Sequence, residues 1–114
     1  MHKASCHCGK VALELDGDLS QANECNCSHC SRKGYLLVFL PRETVTFRSP
    51  PEDLPAYRFN RHVINHHFCP DCGCAPFSMG KGPDGREMVA VNLRCVEGID
   101  LEAVKRVPVD GRSF

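Results

Sequence analysis

Eight of the nine cysteines in this 114-residue chain fall into three tight groups: Cys6 with Cys8; Cys25 with Cys27 and Cys30; and Cys69 with Cys72 and Cys74. Thiolate is a soft ligand that favours zinc or iron–sulfur clusters, and C-x-C and C-x-x-C spacings let neighbouring sulfurs converge on one ion. Disulfides within each group would close only tiny, strained loops, and cysteine-rich cytosolic chains are more often metal-binding or catalytic than disulfide-stapled. The grouping therefore predicts a metal-binding framework.

A tetrahedral site needs four ligands, so the groups must combine across the sequence. Cys6-His7-Cys8-Gly9 and Cys69-Pro70-Asp71-Cys72-Gly73 each present two sulfurs followed by glycine, the residue best able to take the left-handed turn behind a metal knuckle. Two such halves make one closed site, so Cys6, Cys8, Cys69 and Cys72 are assigned to a structural zinc. Structural zinc in small peptides is worth about 10 to 16 kcal/mol, comparable with the stability of a domain this size.

The middle group, Cys25-Asn26-Cys27-Ser28-His29-Cys30, supplies three sulfurs and no obvious fourth. Three protein ligands and an open position are the pattern of catalytic zinc, where water or substrate completes the tetrahedron. Cys74 lies two residues past Cys72, and alternation along an extended chain could turn its sulfur toward this second metal. His29, His66 and His67 are further candidates for the fourth position. Two zinc ions are expected in all. A second structural zinc is the competing reading of the middle group.

Lys plus Arg balance Asp plus Glu at 14 each, so no basic footprint points to nucleic acid or an anionic membrane. Cysteine ligation also lacks the spacing of a finger built from two cysteines and two histidines. Four thiolates on one zinc carry a formal charge of about −2, which would leave the loaded protein mildly acidic. The start, Met1-His2-Lys3-Ala4-Ser5-Cys6, lacks the apolar stretch of a signal peptide, and no run approaches the roughly 20 apolar residues that span a bilayer. A single cytoplasmic domain over residues 1–114 is the expectation. The ninth cysteine, Cys95, reads as a small buried hydrophobe, with a reactive thiol as the alternative.

Strand-like patterning dominates. Val11, Leu13 and Leu15 alternate with Ala12 and Glu14, and Tyr35 to Leu40 is a continuous apolar run stopped by Pro41. Val45 with Phe47, Tyr57 with Phe59, Val63 to Phe68, and Met88 to Leu93 are the other strand candidates. Residues 49–53 and 80–85 read as loops. Helix is confined to a turn after Ser28 and a short piece from Leu101 to Val104 begun by an Asp100 cap. Phe39, Phe47, Phe59, Phe68 and Phe77 are expected in the core. The fold class is mainly β.

The three groups, in this order, resemble the glutathione-dependent formaldehyde-activating enzyme family, which also contains centromere protein V. The resemblance rests on Cys6-His7-Cys8-Gly9-Lys10-Val11, Cys25-Asn26-Cys27-Ser28-His29-Cys30, Phe68-Cys69-Pro70-Asp71-Cys72-Gly73 and Val109-Asp110-Gly111-Arg112. It implies a small two-sheet β-tent, a structural zinc on Cys6, Cys8, Cys69 and Cys72, and a second zinc on Cys25, Cys27 and Cys30. The implied activity is a carbon–sulfur lyase of the S-(hydroxymethyl)glutathione synthase type, acting on a thiol such as glutathione and an aldehyde adduct. Cys74 stands where formaldehyde-activating members commonly carry serine or threonine, and Asn26 where they often carry histidine. The Cys25-to-Ser28 stretch looks closer to the centromere-protein branch.

A nearby imidazole, His66 or His67, is the candidate proton carrier, because histidine titrates near neutral pH. As strand neighbours the two face opposite ways, so one of them at most readily points into a given site. Arg32, Lys33, Arg58 and Arg61 could bind the carboxylates of a glutathione-like ligand, against a default of plain surface solvation. His2, His7 and His62 read as exposed. The alternative to an enzyme is a zinc-binding protein-interaction module with two structural metals.

Overall fold

The computed structural model describes residues 1–59 and 64–111. Among these residues ten strands build two sheets, accompanied by one short α-helix and three 3-10 turns: β1 (His2–Ser5), β2 (Ala12–Leu15), β3 (Gln21–Cys25), α1 (Ser28–Lys33), β4 (Leu37–Pro41), β5 (Val45–Phe47), β6 (Ala56–Tyr57), β7 (Asn65–His67), β8 (Phe77–Lys81), β9 (Glu87–Asn92) and β10 (Lys105–Val109). The three-stranded sheet has the order β1-β2-β5, and the seven-stranded sheet β10-β3-β4-β9-β8-β7-β6. The expected mainly β architecture with little helix is what the chain adopts.

Period-two patterning decides which residues meet. Leu13, Leu15 and Val45 of the small sheet pack against Val38, Leu40, Phe77, Met79, Val89 and Val91 of the large one, forming the main core between the two layers. Each of these side chains is buried, and Phe77, Leu15, Val89 and Val91 are among the most fully enclosed. The intervening residues of the large sheet face the other way. There Leu37 and Ala90 join Cys30, Tyr35 and Ala75 in a second apolar cluster beneath α1.

One rank of directly paired residues crosses that outer face. Tyr57 opposes His66, His66 opposes Ser78, Ser78 opposes Ala90, and Ala90 opposes Phe39. Phe39 therefore lies outside the core where it was expected and is 51% exposed, because its partners in register belong to the face that the small sheet does not cover.

Several boundaries also differ from the sequence reading. Leu101 to Val104 forms turns rather than helix: Asp100 Oδ1 accepts from the Glu102 N–H (3.1 Å), but too few residues follow to propagate a helix before β10. β8 runs through Gly80 and Lys81, which were expected in a loop, because pairing with Met88 and Glu87 continues the ladder. Phe59 lies beyond the end of β6. Val63, Arg61 and His62 fall outside the described residues.

Candidate metal centres

The first centre joins the two sheets. Cys6 and Cys8 follow β1 of the small sheet, and Cys69 and Cys72 follow β7 of the large one. Their four sulfurs all lie within 4.8 Å of one another. Cys6 Sγ is 3.7 Å from Cys8 Sγ, and Cys8 Sγ is 3.6 Å from Cys69 Sγ. These separations are far longer than a disulfide bond of about 2.05 Å. They match the edge, about 3.8 Å, of a tetrahedron with metal–sulfur bonds of about 2.3 Å.

The backbone is shaped for thiolate. Gly9 and Gly73 take left-handed φ values of 85° and 81°, as expected behind each knuckle. The turns aim N–H groups at sulfur: Val11 donates to Cys6 Sγ (3.3 Å), and Asp71 and Cys72 donate to Cys69 Sγ (3.4 and 3.5 Å). The Cys74 and Cys8 N–H groups hold the Cys72 thiol down at about 5. At Cys8 the Lys10 N–H favours the thiolate, yet hydrogen bonds to the Cys69 and Cys6 sulfurs carry it up to about 12. Sulfurs this close resist ionising together unless a cation lies among them, so the donor set fits a zinc ion and gains most from one.

The second group is smaller. Cys25 ends β3, Cys27 caps α1 and Cys30 lies within it, and their three sulfurs again lie within 4.8 Å of one another. Cys27 N–H donates to Cys25 Sγ (3.4 Å), and Cys30 N–H donates to Cys27 Sγ (3.2 Å), so helix cap and ligand set are one device. Burial opposes ionisation of Cys27, but the Cys30 N–H and the neighbouring sulfurs outweigh it and lower its pKa. Burial drives Cys30 upward instead, aided by Cys27. Among the described residues no fourth cysteine, histidine, aspartate or glutamate joins this group.

Cys74 belongs to neither group. It packs half-buried against the main core, and its carbonyl accepts from the Cys69 N–H (2.9 Å), which folds the third cysteine group into a closed turn. The Cys74 sulfur is within electrostatic reach of Cys95, whose thiol is pushed up to about 11, mainly by burial.

The C-terminal strand completes the middle group. β10 runs parallel to β3, with Val109 paired to Cys25. Asn26 donates its N–H to the Val109 carbonyl (3.0 Å) and its Nδ2 to Asp110 Oδ1 (3.0 Å). Gly111 then sits so close to Cys25 Sγ that a Cβ there would collide with the sulfur.

A cleft of about 590 Å³ opens beside this group, lined by His29, Arg32, Lys33, Tyr35 and His66 among others. Tyr35, Phe68 and Ala75 line it and also pack with Cys25, Cys27 and Cys30, so the cysteines adjoin the cleft without being among its lining residues. The His29 ring is surrounded by aromatic neighbours: His66 at 4.3 Å, Phe59 at 5.1 Å, Tyr57 at 5.4 Å and Tyr35 at 5.7 Å between centroids. His29 Nδ1 and the Tyr35 hydroxyl are buried without a hydrogen-bond partner among the described residues. Groups of this kind call for an occupant or another functional reason.

His66 and His67 do face opposite ways. His66 meets His29 and places Nδ1 3.1 Å from Ser78 Oγ. His67 stacks toward Phe77 of the main core at 5.2 Å, with its Nδ1 buried and unpartnered. Burial lowers the pKa of both, and with the charges of His29, His67 and Lys33 it takes His66 to about 4. Burial and Lys33 also lower His29. Burial, with added effects of the Cys30 and Cys95 sulfurs, raises Tyr35 to about 12. Arg32 spends one guanidinium nitrogen on the Ser28 carbonyl (2.8 Å), and Arg58 donates to Asn65 outside the cleft. His2 and His7 are exposed.

Sequence reasoning missed Tyr35, Tyr57, Ser78 and Gly111 as parts of this region. Ser78 carried a usable signal, being a polar residue between Phe77 and Met79 in a strand pattern and hence on the face opposite the core.

No curated protein is matched by the chain. A crystal structure of a Rhodobacter sphaeroides protein is similar, with a TM-score of 0.77 and 28% identity, covering 93% of this chain and 97% of that one. The model of the glutathione-dependent formaldehyde-activating enzyme family matches residues 1–106, nearly the whole sequence and both cysteine groups. On that match, the chain belongs to the glutathione-dependent formaldehyde-activating enzyme family.

Proposed function

We propose that the protein is a zinc-dependent carbon–sulfur lyase that interconverts a thiol plus an aldehyde with their S-(hydroxyalkyl) adduct, working at Cys25, Cys27 and Cys30. The observation that carries this reading is the inequality of the two cysteine groups: four sulfurs converge in the first, whereas three converge in the second, beside a cleft. Cys6, Cys8, Cys69 and Cys72 would hold a structural zinc with no position left for substrate. Cys25, Cys27 and Cys30 would hold the second zinc. When bound, that ion supplies positive charge that favours a thiolate or polarises a carbonyl.

In the adduct-forming direction the thiol loses its proton, its sulfur forms the bond to the carbonyl carbon, and the carbonyl electron pair moves to oxygen, which takes up a proton. His66 is the residue suited to carry that proton. It lines the cleft and is oriented through Nδ1 by Ser78, while burial, by lowering its pKa to about 4, makes it a weaker proton acceptor than the near-neutral imidazole expected from sequence. His67 also borders the cleft, but its ring packs toward Phe77 of the main core, which suits it to a positioning role. Arg32 and Lys33 stand at the cleft with exposed cationic ends suited to glutathione carboxylates.

Exchange spectroscopy with ¹³C-formaldehyde and glutathione tests this directly. Zinc-loaded protein should accelerate exchange between free and adduct carbon, and Cys27→Ser and His66→Ala should abolish most of the acceleration. If the loaded wild-type protein leaves exchange at its uncatalysed rate both with formaldehyde and with a longer aldehyde such as hexanal, the lyase reading fails, and a zinc-bearing interaction module takes its place.

A further inference from the structure

A second cavity of about 590 Å³ lies on the same outer face of the large sheet, further from the cysteines, and it differs in character from the first. Phe39, Pro41, Ile64, Met79, Met88 and Ala90 supply its apolar wall, and the 80–86 segment supplies its rim. Phe39 and Ile64 are 51% and 45% exposed, unusual for large apolar side chains that lie together. Of its charged rim residues, Lys81, Asp84 and Arg86, the last two are engaged in contacts of their own. Arg86 pairs with Glu43 at 2.6 Å, and Asp84 Oδ1 accepts from the Arg86 N–H at 3.0 Å.

Register makes the two cavities neighbours. Ser78 and Ala90 line the apolar groove. Ser78 Oγ is also the 3.1 Å partner of His66 Nδ1, and His66 lines the cleft. Ala90 packs in the cluster that holds Cys30, Tyr35 and Ala75. In the rank Tyr57–His66–Ser78–Ala90–Phe39, small side chains occupy the two central positions between larger ones. Ser78 and Ala90, only 3% and 8% exposed, thus form the enclosed boundary between the groove they line and the His66 wall of the cleft.

We propose that the Phe39 groove receives an apolar substituent on the aldehyde-derived half of the adduct, so that the preferred substrates are S-(hydroxyalkyl) adducts of longer aldehydes rather than of formaldehyde. This rests on the reading of Cys25, Cys27 and Cys30 as the thiol site. The thiol-bearing half occupies the cleft, where the cationic residues are, and the alkyl chain crosses Ser78 and Ala90 into the groove. A formaldehyde adduct has no atom that reaches it. The groove volume lies in the range of about 300 to 1,000 Å³ typical of small-molecule sites.

The test compares glutathione, S-methylglutathione and S-hexylglutathione, non-reactive analogues of short and long adducts, by calorimetry on the zinc-loaded full-length protein. Burial of one methylene is worth roughly fourfold in affinity, so burying only two of the hexyl chain's added methylenes gives roughly 15-fold tighter binding than S-methyl. Phe39→Ser and Met88→Ser should remove most of that gain while leaving glutathione affinity unchanged, which also shows that the variants are folded. Equal binding of the methyl and hexyl ligands overturns the groove assignment and leaves the thiol site standing. A hexyl gain that survives both substitutions overturns it as well. Failure of all three ligands to bind removes the thiol-site reading, and the groove assignment falls with it.

Discussion

Gly111 and Cys25 are packed so closely that a single added β-carbon on the one would occupy the space of the other's sulfur. The contact exists because β10 pairs in parallel with β3 and delivers Asp110 and Gly111 over the middle cysteines. Gly111→Ala should therefore displace Cys25 Sγ and weaken metal binding at the middle group by roughly 10- to 100-fold, the usual cost of disturbing a ligand's supporting contacts. Chelator competition followed by native mass spectrometry should show one zinc leaving early and the other retained. Equal loss of both zincs, or of neither, would refute this.

Cys74→Ser should leave both metal environments intact, since its sulfur is in neither group. Cobalt substitution reads this out better than a metal count, because water can replace a lost ligand without changing stoichiometry. The sulfur-to-cobalt charge-transfer band of Cys74→Ser should match wild type, whereas Cys27→Ser should weaken it. A weakened band in Cys74→Ser would show that this residue is a ligand after all.

Removing a sulfur from the first group should cost far more than removing one from the second. Cys69 is fully buried, and its group ties the two sheets across the main core. Cys69→Ser should lower unfolding free energy by about 4 kcal/mol or more, the range associated with loss of a metal site. Cys25→Ser should cost a small fraction of that. Denaturant titrations of the zinc-loaded proteins decide it, and comparable losses would mean that the middle group is structural too.

His66 should make the fold acid-sensitive in a particular window. Its pKa is lowered to about 4 in the native protein from an ordinary value near 6.5, so the unfolded chain binds a proton that the native chain refuses. Its stability contribution is fully present above about pH 6.5 and is lost as pH falls toward about 4. His66→Gln should flatten the fall in melting temperature across that window relative to wild type. Imidazole NMR should show His66 neutral at pH 5.5; a charged ring there would contradict the burial argument.

The metal framework was legible in the sequence because it is written in local spacing. Cys-x-Cys-Gly and Cys-x-x-Cys-Gly specify knuckles whatever surrounds them, and the pairing of Cys6 and Cys8 with Cys69 and Cys72 followed from ligand number and the glycine behind each pair. What stayed hidden depends on register between distant strands. β1, β3 and β10 carry weak alternation, and β10 earns its place by parallel pairing with β3, an arrangement no short window reveals. Phe39 looked like core because its run is apolar on both sides, which is also how a strand reads when its second face carries a ligand groove. Cys74 was drawn toward the middle group by alternation, yet the turn closed by its own carbonyl on Cys69 keeps it beside the first.

The Cys8 and Cys69 sulfurs, 3.6 Å apart, are separated by 61 residues of sequence. Bringing such distant points together in an unstructured chain is an entropic search that grows with loop length, and long-range strand pairings cannot begin to be rewarded until it succeeds. An ion held by Cys6, Cys8, Cys69 and Cys72, as proposed, would turn that search into a single closure event. Metal supply should thus govern how quickly newly made chains mature, and zinc-starved cells should accumulate slow-folding, aggregation-prone chain before any shortfall in finished protein stability is felt.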